Sequence, residues 1–236
     1  MSRESQLKLK LVGQTLRLLP ERAFYWEEQK LLGLSDLHIG KAQSLQKHGI
    51  PMPAASHHED LEKLRSLVEQ LSPEQVVILG DFIHAKNSWD AELHQTLRDF
   101  FKSLPQARWS LIIGNHERGS QEPLSLLGIE IVKEELRYEN LVLAHGHDTK
   151  KEYDGSLGRI EGHVHPVCVL REGPTRLRLP CFVLENEILT LPAFGVLTGG
   201  HEIRPQLKNR IFAIAGKDIF EINERSAHGL KNSLER

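Results

Sequence analysis

The chain has little cysteine: only Cys168 and Cys181 among 236 residues, thirteen positions apart, in strand-like apolar segments and in no CxxC or other metal-type spacing. A disulfide framework and a thiolate metal cluster are thereby excluded, and the two thiols read as buried and free. Long hydrophobic runs are missing too. No stretch approaches the ~20 apolar residues of a membrane span, and the amino terminus, MSRESQLKLK, carries charges where a secretory signal needs an apolar run. The expectation is a cytoplasmic protein. Neither sign of charge dominates: 30 Lys+Arg stand against 32 Asp+Glu, a formal charge of −2. That balance excludes a protein that coats nucleic acid by bulk electrostatics and leaves room only for a local basic face. Internal repeats, low-complexity tracts and long Gly/Ser/Pro linkers are also lacking, so residues 1–236 are expected to form a single domain. At this length roughly 70–75% of the unfolded surface can be buried, enough for a core without structural metal.

What the chain does have is histidine, thirteen in all, seven of them in short motifs. Apolar and β-branched runs near 14–19, 30–34, 75–79, 108–113 and 141–145 predict strands, and the last four each end in a polar turn. A capping-box pattern, Ser56 with Glu59, precedes Leu61, Leu64, Leu67, Val68 and Leu71 on one helical face. Ser88 opens a second predicted helix through Leu93, Leu97, Phe100 and Phe101 to about Leu104. Strand and helix thus alternate over the first two thirds. Beyond 160, short segments at 166–171, 175–184 and 187–191 predict an antiparallel closing sheet, and the tail after about 217 reads as polar and peripheral.

Five clusters stand at predicted strand ends: Ser35-Asp36-Leu37-His38, Gly80-Asp81, Gly114-Asn115-His116-Glu117, His145-Gly146-His147 and Gly162-His163-Val164-His165. Ligand sites in α/β sheets form outside the carboxyl ends of strands, so clusters over a hundred residues apart can meet there. Carboxylate, amide carbonyl and imidazole without thiolate suit Mn²⁺, Fe, Zn²⁺, Co²⁺ or Mg²⁺. Seven candidate ligands exceed the shell of one ion. Grouped buried charges and imidazoles without a metal would cost several kcal/mol of desolvation, which weighs against a purely structural origin for all five clusters together.

As a set, D-x-H, G-D-x-x, G-N-H-[DE], H and G-H-x-H, complete and in order across about 30–170, resemble the calcineurin-like metallophosphoesterases. The resemblance implies an α/β fold, a four-layer αββα sandwich with mixed sheets, and a dinuclear metal site. It implies that Asp36, His38 and His165 hold one ion, that Asn115, His145 and His163 hold the other, that Asp81 bridges both, and that His116 stands off the metals as the catalytic acid or charge stabiliser. Two divalent ions sharing a carboxylate can activate a water and neutralise phosphate oxygens during in-line attack. Within His145-Gly146-His147 either histidine could be the ligand; the family's usual use of the first favours His145, with His147 then standing beside the site. Glu117 would orient the His116 imidazole or solvate its loop.

The second motif runs Gly80-Asp81-Phe82-Ile83-His84, where many relatives carry a second Asp at the last position. A similar GD-x-x-H-x-x-N pattern, here ending at Asn87, occurs in double-strand-break repair exonucleases of the superfamily and points to DNA. Packing or capping of the next turn is the alternative for His84. A closer likeness extends to Asp36–Lys41, Gly49-Ile50-Pro51-Met52-Pro53, Leu191-Pro192-Ala193-Phe194-Gly195 and Thr198-Gly199-Gly200. Together these resemble the bacterial DNA ligase-associated metallophosphoesterases. That family implies a phosphodiesterase or endonuclease of the DNA damage response, with Mn²⁺ as the expected metal and with DNA, an ATP-dependent DNA ligase and a helicase as partners. The other functional readings are a phosphodiesterase of cyclic nucleotides, nucleotide pyrophosphates or aryl phosphodiesters, and a non-catalytic scaffold.

Substrate contacts are assigned to Lys41, His84, Arg118 and His147, each with an ordinary surface or packing role as its alternative. Arg171, Arg176 and Arg178, with Arg204, Lys208 and Arg210, form two basic stretches able to follow a nucleic-acid backbone, solvated strand edges being the default reading. Trp89 and Trp109 read as core or helix-edge aromatics rather than stacking platforms.

Overall fold

The computed structural model describes residues 7–47, 49–51, 56–85, 89–117, 124–147, 156–172 and 174–222. Seven strands, β1 (Leu7–Leu11), β2 (Gln14–Leu19), β3 (Ala23–Trp26), β4 (Leu31–Leu34), β5 (Gln75–Leu79), β6 (Arg108–Ile112) and β7 (Glu130–Val132), form one sheet in sequential order. The first four pair antiparallel and β4 to β7 pair parallel. The parallel half exists because helices return the chain: α2 (Ser56–Leu71) links β4 to β5, and α3 (Ala91–Lys102) links β5 to β6. A short α1 (Lys41–Lys47) precedes α2.

A second sheet of nine strands comprises β8 (Glu135–Arg137), β9 (Leu141–Ala144), β10 (Gly158–Glu161), β11 (Pro166–Glu172), β12 (Thr175–Glu185), β13 (Ile188–Thr190), β14 (His201–Glu202), β15 (Asn209–Ala215) and β16 (Asp218–Ile222). Its spine runs β14-β11-β12-β13-β10-β9-β8, and β15 joins β12 to β16. Here β9, β10 and β13 are parallel neighbours, while the hairpins β11–β12 and β12–β13 are antiparallel.

Burial follows the two-fold period of the strands. On one face of the first sheet Leu32, Leu34, Val76, Ile78 and Leu111 pack against Leu64, Val68, Leu97 and Phe100 of the helices. From its other face Leu31, Val77, Leu79 and Ile112 meet Leu141, Leu143, Ile160, Phe182 and Phe212 of the second sheet. The result is a mixed α/β fold of two multi-stranded mixed sheets with few helices, the layered sandwich expected from the motifs.

Several sequence expectations change. The amino-terminal meander places three strands ahead of β4 where one was foreseen. Residues 218–222 are not part of a polar tail: they form β16, which pairs with β15 and buries Ile219 and Ile222, and the positions beyond 222 lie outside the described residues. Ile219 and Ile222 are three positions apart and join different apolar clusters, with exposed Phe220 and Glu221 between them, so no two-residue alternation marks the strand in the sequence. The closing segments are antiparallel among themselves yet belong to the same sheet as parallel β9 and β10. Helix α3 is capped by Asp90, whose carboxylate accepts the Leu93 N–H at 2.8 Å, rather than by Ser88, which lies outside the described residues. Helix α2 begins at Ser56, whose side chain also lies outside them.

Candidate metal centre

Strands β4, β5 and β6 of the first sheet and β9 and β10 of the second release their chains directly into the five clusters. The parallel segments point their carboxyl ends to one edge of the sandwich, so side chains from two sheets converge there.

The ligand atoms of Asp36, His38, Asp81 and His165 lie within 4.8 Å of one another, and those of Asp81, His145 and His163 form a second such group. Asp81 belongs to both. Its Oδ2 is 3.9 Å from His38 Nε2 and 3.4 Å from His145 Nε2. Asp36 Oδ1 lies 3.0 Å from His165 Nε2, and Asn115 Oδ1 lies 3.2 Å from His145 Nε2. All seven sequence-predicted ligand residues are thus brought together.

The backbone is committed to this convergence. Asp36, His38, Asp81, His163 and His165 all have left-handed φ, between 48° and 67°, a conformation that costs a non-glycine residue about 1–2 kcal/mol. Close approach excludes side chains from two neighbouring positions: a Cβ at Gly114 would strike the Asp81 carboxylate, and one at Gly80 would strike the His145 ring.

The polar atoms here are poorly satisfied by protein. Asp36 Oδ1, both His38 ring nitrogens and His165 Nε2 are buried with no hydrogen-bond partner among the described residues. Burial pushes His38 down to about 3, opposing the pull of Asp36 and Asp81, so its imidazole stays neutral with a lone pair to give. His145 moves the other way, up to about 9, because the bond to Asp81, the Asp36 charge and the Leu79 carbonyl outweigh the burial that would lower it. Asp81, raised by burial but lowered more by His145 and His116, ends well below the usual carboxylate range. Unpartnered acceptors, neutral imidazole and two buried carboxylates fit divalent cations, so this His/Asp cluster matches a dinuclear site.

Outer contacts hold the donors in place. His145 Nδ1 donates to the Leu79 carbonyl at 2.7 Å, turning Nε2 toward Asp81 and Asn115. Asp36 Oδ2 accepts the Ser35 hydroxyl at 2.6 Å and the His163 N–H at 2.9 Å. Asp81 Oδ1 accepts the His116 N–H at 3.0 Å. Glu117 neither orients the His116 ring nor solvates the loop. It is fully buried and accepts the backbone N–H groups of Asp81 (2.9 Å), Gly114 (2.8 Å) and Ile83 (3.0 Å). Sequence reasoning missed this role because two of the three partners, Asp81 and Ile83, are backbone groups of another strand's turn.

His116 contacts the His84 carbonyl through Nδ1 and leaves Nε2 3.8 Å from Asp81 Oδ2. The His84 ring stacks on His116 at 5.5 Å, and burial with the nearby Lys41 charge lowers His84 to about 4. Lys41 opens α1, lowered from its ordinary value by burial. The His147 ring lies 5.2 Å from His145, beside rather than within the Asp81 group. Arg118 and Asn87 lie outside the described residues. Trp109 sits in the helix–sheet core against Phe100 and Phe101, and Trp89 packs on the same cluster. The basic stretches are mostly paired at exposed strand edges: Lys208 with Glu185, Arg210 with Glu221, and both Arg176 and Arg204 with Glu202.

Residues 29–205 match the model of the calcineurin-like phosphoesterase family. The chain belongs to that family. Among solved structures it resembles the Pseudomonas putida nuclease MPE, at 34% identity and TM-score 0.77, over 92% of this chain and 100% of that one. The E. coli phosphoesterase Yfce aligns at 16% identity and TM-score 0.43 over 81% and 97% of the respective chains. No curated protein matches the sequence. The chain is therefore a calcineurin-like phosphoesterase with a metal-centre cluster suited to phosphoester hydrolysis. No helix among the described residues is long and apolar enough to cross a membrane.

Proposed function

We propose that this phosphoesterase is a dinuclear phosphodiesterase that hydrolyses phosphodiester bonds in DNA, as an endonuclease acting in damage response or end processing before ligation. The observation that carries the reading is the position of Asp81, a member of both ligand groups at the meeting of two sheets. Asp36, His38 and His165 would hold one ion and Asn115, His145 and His163 the other, with Asp81 between them. When bound, the pair of ions supplies Lewis-acid stabilisation of phosphate charge and activates a water for attack.

The chain's own residues then do the following. Asn115 offers a neutral oxygen, so its ion retains more positive charge for the substrate than a further carboxylate would leave. His116, whose Nδ1–H is anchored by the His84 carbonyl, presents Nε2 on the Asp81 side, and in its imidazolium form it would carry there the proton for the leaving oxygen. Lys41 and His84, on the His116 side, would contact the phosphate, with Arg118 and His147 completing the contacts. Mn²⁺ fits the carboxylate, amide and imidazole donor set.

The nuclease neighbour at 34% identity supports a nucleic acid as substrate, and DNA is carried from the sequence resemblance. An ATP-dependent DNA ligase and a helicase are the partners this reading carries from the sequence resemblance, and the cytoplasm is its compartment. The test is Mn²⁺-dependent turnover of single-stranded and nicked DNA beside a cyclic nucleotide and a nitrophenyl phosphodiester, with Asp81→Asn as control. DNA cleavage lost in Asp81→Asn supports the reading. Turnover of the small substrates alone keeps the phosphodiesterase chemistry and removes DNA.

A further inference from the structure

A cleft of about 220 Å³ opens beside His165, away from the His84–His116 side of the centre. Arg22 and Arg178 line it together with Val167, Pro180, Val196 and Thr198. The two arginines come from separate sheets, Arg22 from the turn between β2 and β3 and Arg178 from β12. Both are tied by backbone carbonyls. Arg22 Nη1 reaches Ala193 O at 3.3 Å and Gly195 O at 3.4 Å, and Arg178 Nη2 donates to Gly200 O. A guanidinium held through one nitrogen keeps further N–H donors and its full charge for a second partner.

The acidic group facing Arg22 is Asp60, and it is already engaged by Lys63 at 3.3 Å and by the Val196 N–H at 3.2 Å. Glu21 also acts on Lys63, so Arg22, Lys63, Asp60 and Glu21 balance, and Arg178 supplies one net positive charge at the cleft. The Thr198 hydroxyl is buried without a hydrogen-bond partner among the described residues. Cationic forks, a spare hydroxyl and walls of Val and Pro form a mixed surface matched to phosphate on one side and sugar or base on the other.

We infer that this cleft is a subsite for the nucleotide next to the scissile phosphate, its flanking phosphate held by Arg22 and Arg178. The inference rests on the phosphodiesterase reading and deepens it, since a cleft next to the metal ligand His165 selects a strand over a lone phosphodiester. DNA and RNA share the required backbone chemistry.

Equilibrium binding of a labelled single-stranded oligonucleotide to the full chain, followed by fluorescence anisotropy across a salt series with EDTA present, tests the inference without turnover. For Arg178→Gln we expect about a tenfold rise in Kd and a loss of about 0.7 in the slope of log K against log salt, the share of one single-strand phosphate contact. Arg178→Lys restores the slope in larger part than the affinity, because it returns the charge without the fork. Arg210→Gln, whose partner Glu221 lies on the far strand β16, leaves both values unchanged. Matched DNA and RNA oligonucleotides show which strand the subsite prefers. Unchanged Kd and salt slope in Arg178→Gln overturn the inference. Absence of nitrophenyl phosphodiester turnover by the unsubstituted Mn²⁺-loaded protein overturns the catalytic reading, so the two failures are distinguishable.

Discussion

Glu117 holds Asp81 from behind: its buried carboxylate accepts the Asp81 N–H at 2.9 Å while binding the Gly114 N–H at 2.8 Å, locking the turn after β5 to the turn after β6. Burial raises its pKa above the ordinary carboxylate value, against the three N–H donors that favour the charged form. Glu117→Ala leaves three buried N–H groups unpaired, each costing about 1–3 kcal/mol. The expected outcome is a loss of several kcal/mol in urea unfolding and loss of bound metal. Glu117→Gln keeps one acceptor and turns an NH₂ toward donors, so it should fall between Ala and the natural residue in both measurements. Native-like stability of Glu117→Ala would refute this role.

Asp81→Asn should lower metal content for both ions together, measured by elemental analysis after dialysis, and abolish turnover. Substitution at Asn115 should reduce only one equivalent. Loss of a single equivalent in Asp81→Asn would contradict the bridging assignment.

His116→Gln should retain both metals while lowering kcat by roughly 10²–10⁴, the usual worth of a positioned proton donor. An empty site in this variant would make His116 a ligand instead.

The left-handed backbone at His163, φ 67°, reverses an ordinary stability order. Glycine tolerates this conformation and alanine does not, so His163→Gly should be more stable than His163→Ala by about 1 kcal/mol in urea unfolding of metal-free protein. The usual order, Ala above Gly, would mean that the strain is absent.

Chelation should lower Tm, because cations that bind only the folded state stabilise it by mass action. At hundredfold excess over Kd one ion contributes about 2.7 kcal/mol, and a chain of this size shifts about 2–4 °C per kcal/mol. Adding Mn²⁺ back to EDTA-treated protein should therefore raise Tm by roughly 5–10 °C in a thermal melt, and no shift would argue against metal binding at the cluster.

Much of the site is legible in the chain because metal chemistry restricts residue type. Asp36, His38, Asp81, Asn115, His145, His163 and His165 are singled out by donor chemistry and by their place after apolar runs, with no knowledge of distance. The strands bearing the first four clusters stand out for the same reason, since parallel strands buried on both faces read as continuous apolar runs. By contrast β16 buries Ile219 and Ile222 in two different clusters and leaves Phe220 exposed between them, so it shows no strand period and reads as tail. Glu117 is a single letter inside a motif; only the fold shows that its partners are the backbones of Asp81 and Ile83, more than thirty residues earlier. The cleft between Arg22 and Arg178 is more remote still, because 156 positions and two sheets separate its cations. Residue chemistry and hydrophobic period, which are local, decide the donor set and the strands that carry it. Which donors share Asp81, which backbone bends left-handed to deliver them and which cations line the cleft beside His165 depend on sheet pairing between distant segments, and only the tertiary structure decides them.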